Sequence, residues 1–234
     1  MKNLNKIAAL LLICTGTFAQ TDPLRTQLNT VFANVDKSQV PTGFLQEYGV
    51  PLLPLSALNG VLSTNNTVDI ATWRAAYAML QTSRIYGTNP LSTLATVNMA
   101  ITNDENANTS YFVVPVLYAD YNYLRSDAIT AHLLSASNNQ LYDVAGRTQS
   151  PYSSAKLFAA SPSVNTAATN TPTFIFKQDI FYMASTKTLS KIYIDFGDGH
   201  SYHSTSWNMP ITAAYTDTGT YKLKIKMVFT DNTR

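Results

Sequence analysis

One cysteine, Cys14, occurs in 234 residues, and it lies in a segment ordered like an export signal. Lys2 and Lys6 make a positive start, residues 7–14 a short apolar run, and Thr17-Phe18-Ala19 puts small residues at the −3 and −1 positions of a cleavage site. A lipidated cysteine normally follows Gly, Ala or Ser. Cys14 follows Ile13, which favours ordinary cleavage after Ala19. A chain beginning at Gln20 has no disulfide and no thiol nucleophile, so packing alone must hold it together outside the cytoplasm. Long apolar runs are missing too. The longest after the signal, residues 111–119, contains Pro115 and falls far short of the roughly 20 residues of a membrane-crossing helix. The expectation is an export signal over 1–19 and no membrane span after its removal.

Charge is scarce. Charged residues make up 13% of the chain, about half the usual share, and Ser, Thr, Asn and Gln supply the polarity instead. That excludes a chain kept disordered by charge. The formal charge of +2 includes Lys2 and Lys6; without them 14 basic residues face 14 acidic ones. Nothing in this balance calls for nucleic acid or anionic lipid as a partner. Histidine is limited to three residues. Gly-x-Ser-x-Gly, His-Glu-x-x-His, Cys-x-x-Cys and a Gly-rich phosphate loop are absent, so no catalytic residue, metal or cofactor is assigned. His200 and His203 near Asp195 and Asp198 would share a metal only if their loop curls, because strand residues three apart face opposite ways. Calcium at the two aspartates would need six to eight oxygens, and turn geometry explains them more simply. His132, Asp127 and Ser135 have the ingredients of a triad but no local spacing that unites them.

What is present divides the chain. Asp22-Pro23 is a helix start, and Leu24, Leu28, Val31, Phe32 and Val35 form a stripe on about three turns, ended at Asp36. Residues 40–60 carry three prolines and three glycines among many apolar residues, the composition of an extended arm packed on something larger. A second helix is predicted over 69–85, with Thr67 as a possible cap and Trp73 in its core stripe. A third is predicted over 92–102, followed by a polar turn at 103–110. From Tyr111 the composition becomes β-branched and aromatic, a buried strand in which Pro115 marks an edge or bulge. Tyr118, Tyr121 and Tyr123 suit either a sugar-stacking row or, more simply, the packing of a sheet on helices. A short strand is expected at 141–144, and residues 161–173 read as a crossing between domains.

The C-terminal part alternates clearly. Ile192, Ile194 and Phe196 interleave with Lys191, Tyr193 and Asp195, ending in a two-glycine turn at Gly197 and Gly199. Tyr221, Leu223, Ile225, Met227 and Phe229 oppose Lys222, Lys224 and Lys226, a strand with one dry and one wet side. The lysine ladder, about 14 Å long at about 3.4 Å per residue, is either a solvated face or a grip on an acidic glycan. Asp217-x-Gly219-x-Tyr221 has the spacing of a tyrosine corner, where the hydroxyl returns to nearby backbone.

Together, Asp195-Phe196-Gly197-Asp198-Gly199, Pro210, and Tyr215 through Gly219, Tyr221, Leu223 and Ile225 resemble the PKD (polycystic kidney disease) domain family. The resemblance covers less than a third of the chain and departs from the family in having Ile194 where a tryptophan usually stands. It also has a slightly longer gap between Pro210 and Tyr215. It implies an Ig-like β-sandwich used as an accessory module in secreted and surface proteins, with one more strand after the turn at 230–234, so that the present chain would leave a sheet edge unprotected. Pro41-Thr42-Gly43-Phe44-Leu45 is loosely similar to uncharacterised exported proteins of Gram-negative bacteria and brings no activity with it.

The expected organisation is therefore an α+β chain. A signal peptide (1–19) precedes a helical and mixed N-terminal domain (20–165) and an antiparallel PKD-like β-sandwich (166–234) that is incomplete at its C-terminus. The expected role is that of a non-catalytic exported bacterial module, secreted or at the cell surface, contacting protein or polysaccharide. The alternative is the N-terminal portion of a secreted hydrolase; a third reading is a structural spacer.

Overall fold

The computed structural model describes residues 22–63 and 66–234; the export signal expected over 1–19, with Cys14, lies outside them. The fold is α+β. Three α-helices, α1 (Pro23–Val31), α2 (Ile70–Thr82) and α3 (Leu94–Ala107), precede β1 (Phe112–Val113), β2 (Val116–Leu124), β3 (Leu134–Ser137), β4 (Gln140–Asp143), β5 (Tyr152–Ala160), β6 (Thr173–Ile175), β7 (Phe181–Ala184), β8 (Leu189–Asp195), β9 (His203–Thr205), β10 (Ile211–Thr212) and β11 (Lys224–Phe229). No helix among the described residues is long and apolar enough to cross a membrane.

Each helix starts on a side-chain cap. The carboxylates of Asp22 and Asp69 accept from the N–H groups of Leu24 and Thr72, and the hydroxyl of Thr93 accepts from that of Thr96. Asp69, not Thr67, caps α2. The helix ends differ from the sequence expectations for identifiable reasons. Helix α1 stops at Val31, and Asn34 bridges to Tyr142 on β4, so Phe32 and Val35 are buried from outside the helix. Helix α2 stops at Thr82 because residues 83–85 pair instead with the arm: Leu45 N–H donates to Ser83 and Ile85 N–H to Gly43. Helix α3 runs five residues past Thr102, through the expected polar turn, because Asp104 is on its inner side and reaches Lys177 at 3.6 Å.

Pro115 separates β1 from β2 rather than bulging a single strand, and the two pieces join different sheets. Strand β6 lies between β1 (parallel) and β10 (antiparallel); β2 lies between β5 (antiparallel) and β7 (parallel). Both parallel ladders join residues before 165 to residues after 173, so hydrogen bonding runs straight across the boundary expected there. The crossing itself, 161–172, has no regular structure. Residues 157–160 belong to the end of β5.

The strand pair forms a wall between two cores, and its period-2 alternation sorts side chains between them. Val113, Leu117, Ala119, Tyr121, Leu157, Ala159 and Ile175 face Trp73, Ala76, Tyr77, Leu80, Val97 and Ile101 of the helices. Val114, Val116, Tyr118, Phe174 and Phe176 face Ile192, Ile194, Phe196, Met227 and Phe229. The latter belong to a third, antiparallel sheet in the order β11-β8-β9. Tyr118 and Tyr121 are thus core residues on opposite faces of the wall, while Tyr123 is exposed. A smaller cluster of Phe32, Val35, Val40, Leu45, Tyr48, Ile85 and Tyr152 closes the end near α1.

The apolar arm is held at its start by Asn122, which is buried on β2. Its Oδ1 accepts from the N–H and hydroxyl of Thr42 at 3.0 and 2.8 Å, and its Nδ2 donates to the Ser153 carbonyl and the Ser154 hydroxyl at 3.2 and 3.1 Å. The Asn122 N–H donates to Phe44 at 2.8 Å. Residues 42–45 are therefore threaded between β2 and the end of α2.

Candidate functional site

Strand β8 ends at Asp195, whose carboxylate is fully used. Oδ1 accepts from Gly197 N–H and Oδ2 from the Lys224 ammonium, both at 2.8 Å. The bond from Lys224, helped by that from Gly197, holds the carboxyl below its ordinary range against a modest desolvation, and the same contact raises Lys224. Gly197 has φ +71°, and a Cβ there would lie 3.0 Å from the Lys222 carbonyl oxygen; both conditions call for glycine. Gly199, at φ +87°, continues the turn, and Asp198 accepts from His200 N–H at 3.1 Å. Phe196 is buried with its ring stacked on Phe174.

The turn meets the corner through Tyr215, which in the sequence pattern marks only a spacing. Tyr215 donates its hydroxyl to the Phe196 carbonyl at 3.0 Å, and its ring stacks on Tyr221 with centroids 3.8 Å apart. Burial pushes the Tyr215 phenol up to about 12. Tyr221 donates to the Asp217 carbonyl at 2.7 Å, four residues back, and Gly219 lies beneath the Tyr221 ring. Asp195, Phe196, Gly197, Asp198 and Gly199 are joined in this way to Asp217, Gly219 and Tyr221. Strand β11 begins at Lys224 instead of Tyr221, because the segment before it is drawn into the corner. Beyond Phe229 the chain reverses: Phe229 N–H donates to the Thr233 carbonyl, and Lys187 pairs with Asp231 at 2.7 Å. Among the described residues β11 has a strand on one side only, β8.

The polar face of this sheet is more organised than a row of solvated lysines. Lys224 is committed to Asp195, and the Lys226 ammonium sits between the rings of Tyr193 and Tyr202, 4.7 and 4.6 Å from their centroids. Tyr193 is legible from the alternation on β8; Tyr202 is not, because only the hairpin register brings it across.

The histidines do not converge on an ion. The rings of His200 and His203 are 6.5 Å apart, His200 Nδ1 is 3.9 Å from Asp198, and no group of three or more His, Cys, Asp or Glu side chains among the described residues is placed to hold a metal. Both oxygens of Asp127 receive hydrogen bonds from Arg125, at 2.8 and 2.7 Å, while His132 sits in a left-handed turn at φ +54°. Of the triad ingredients, Asp127 is thus committed to Arg125, and Ser135 lies on β3 opposite Tyr142.

Shallow clefts are found at two places among the described residues. One, of about 380 Å³, is lined by Arg25, Tyr48, Gln81, Thr82, Arg84 and Asn89. Arg25 donates to the carbonyls of Tyr48 and Thr82, bracing the C-terminal end of α2. Arg84 donates to Thr42 and lies over the Phe44 ring, tight against Gly43 and Gly87. The other, of about 330 Å³, is lined by Lys177, Gln178, Asp179 and Asn208. Beside it, burial and the neighbouring Asp179 push the Asp104 carboxyl up, while Lys177 opposes them. In both, the polar groups serve to join segments: arm to helix, α3 to the stretch before β7. Comparison with protein-family models, with characterised proteins and with solved structures finds no match for the chain.

Proposed function

We propose that the chain is a non-catalytic exported module of a secreted or cell-surface bacterial protein, and that its C-terminal part is a PKD-like, Ig-like β-sandwich supporting contacts with protein or polysaccharide. The observation that carries this reading is the union of the Asp195–Gly199 turn with the Asp217–Tyr221 corner through Tyr215. The polar side chains there are spent on backbone and on one another, which suits a scaffold for loops and faces rather than a reaction centre. The signal-like order of residues 1–19 supports export. The test is to incubate the purified chain with ester, peptide and glycoside substrates, and separately with immobilised polysaccharides and surface proteins. Binding without turnover is the expected result. Turnover that survives repurification would end the reading.

A further inference from the structure

The outward face of the β11-β8-β9 sheet carries cations that no carboxylate neutralises. Residues directly opposite in an antiparallel ladder share a face. The pairs Tyr193↔Lys226, Asp195↔Lys224, Lys191↔Val228 and Tyr193↔Ser204 therefore put all these side chains on one side; Tyr202 joins them through its ring at Lys226, and exposed Lys222 lies on the adjoining segment before β11. Ile192, Ile194, Met227 and Phe229 fill the other side. Of the four lysines only Lys224 has an ion-pair partner; Lys191, Lys222 and Lys226 have none among the described residues. The Lys226 ammonium is held between two half-exposed tyrosine rings. Ordering a flexible lysine in advance reduces what a ligand must spend on fixing it.

We infer that this face binds an acidic polysaccharide. Uronate carboxylates would meet Lys191, Lys222 and Lys226, and the apolar face of a pyranose would lie on Tyr193 or Tyr202. The inference rests on the binding-module reading and narrows it to one ligand class. Three unpaired lysines, spread over about 20 Å from Lys222 to the Lys191↔Val228 pair, are too few for a nucleic-acid footprint, which commonly takes about 6–10 phosphate contacts. The whole chain, with 16 basic and 14 acidic residues, supplies no wider field. A protein partner fits poorly because lysine is depleted at the centres of protein interfaces, whereas here lysines occupy the middle of the patch and Val228 is its one aliphatic side chain.

The test is affinity electrophoresis of the full chain through gels containing polygalacturonate, a neutral glucan or single-stranded DNA. The expected result is retardation by polygalacturonate that weakens as salt is raised. Lys191→Gln combined with Lys226→Gln should weaken it about tenfold or more, Tyr193→Ala by a comparable factor, and Lys156→Gln, an exposed position on β5, not at all. Thermal melts confirm that the variants are folded, and the lysine pair, being exposed or half-exposed, keeps the test open if Tyr193→Ala is not. Absence of retardation by polygalacturonate overturns the inference, as does equal sensitivity to Lys156→Gln or retardation by DNA at least as strong. Retardation by the neutral glucan alone overturns the acidic ligand while leaving the binding-module reading in place. Release of sugar from either polymer overturns that reading as well.

Discussion

The two faces of the central wall are built on different principles. Towards the helices, burial is complete and almost wholly apolar: Trp73, Tyr77, Leu80, Val97, Ile101 and Leu117 are all 0% exposed, and Trp73, Tyr77 and Tyr182 pack ring on ring. Towards the C-terminal sheet, a tight centre of Ile194, Phe196 and Phe229 is surrounded by residues only partly covered, among them Trp207, Tyr215, Leu223 and Ile225. There, register is kept by polar contacts at the rim, from Asp195, Tyr215 and Tyr221. The lesson is that volume stabilises one side and hydrogen bonding specifies the other, although both depend on the same strands.

This contrast can be broken experimentally, beginning where volume matters most. Trp73→Ala should cost about 3–5 kcal/mol, measured by urea unfolding, and because the wall is shared it should lower a single transition rather than split it. Ile194→Ala on the opposite face should cost about 2–5 kcal/mol; two separated transitions in either variant would mean that the faces fold independently. Asn122→Ala leaves the N–H of Thr42 without its acceptor inside the protein and should cost about 1–3 kcal/mol, with faster amide exchange over residues 42–45 as the local signature.

Smaller effects separate the rims by pH. The folded Asp195 carboxyl lies below its ordinary value, so its contribution is complete above the unfolded pKa of about 3.9 and is lost as pH falls through the folded one. Asp195→Ala should remove about 1 kcal/mol with the Gly197 bond, about 2–4 °C in melting temperature, and should flatten the acid limb of the stability curve. Asp104 has the opposite sign. Its folded carboxyl is raised by burial first and by Asp179 second, so stability declines as pH climbs from the unfolded pKa through the folded one. Asp104→Asn should remove that decline, and parallel wild-type and variant curves between pH 4 and 7 would contradict the assignment.

Local signals were the legible ones. Asp22-Pro23 begins α1 as read, Gly197 and Gly199 take positive φ as the turn requires, and alternation matches burial from Lys191 to Ile194, whereas Asp195 is buried by its bond to Lys224. Misread features were those decided by distant partners. The polar residues after Thr102 look like a turn until Lys177 is brought against Asp104. Residues 83–85 look like helix until the arm pairs with them. Composition at 161–173 suggests a break between domains, and the backbone there is indeed irregular, yet the strands on either side of it are hydrogen-bonded to one another. Parallel pairing needs a long crossover, and nothing in a local window reports which distant strand it reaches. The polar sheet face was half visible: the lysine spacing could be read, but the second tyrosine at Lys226 comes from across a hairpin.

Strand β2 has no wet side along most of its length: odd-numbered side chains enter one core and even-numbered ones the other. Gain or loss of a single residue between Val116 and Tyr121 would swap the occupants of both compartments at once, whereas the irregular stretch at 161–172 can change length without inverting anything. Among relatives of this chain, spacing should therefore be frozen in the first segment and free to drift in the second, even where the identities of individual residues have diverged.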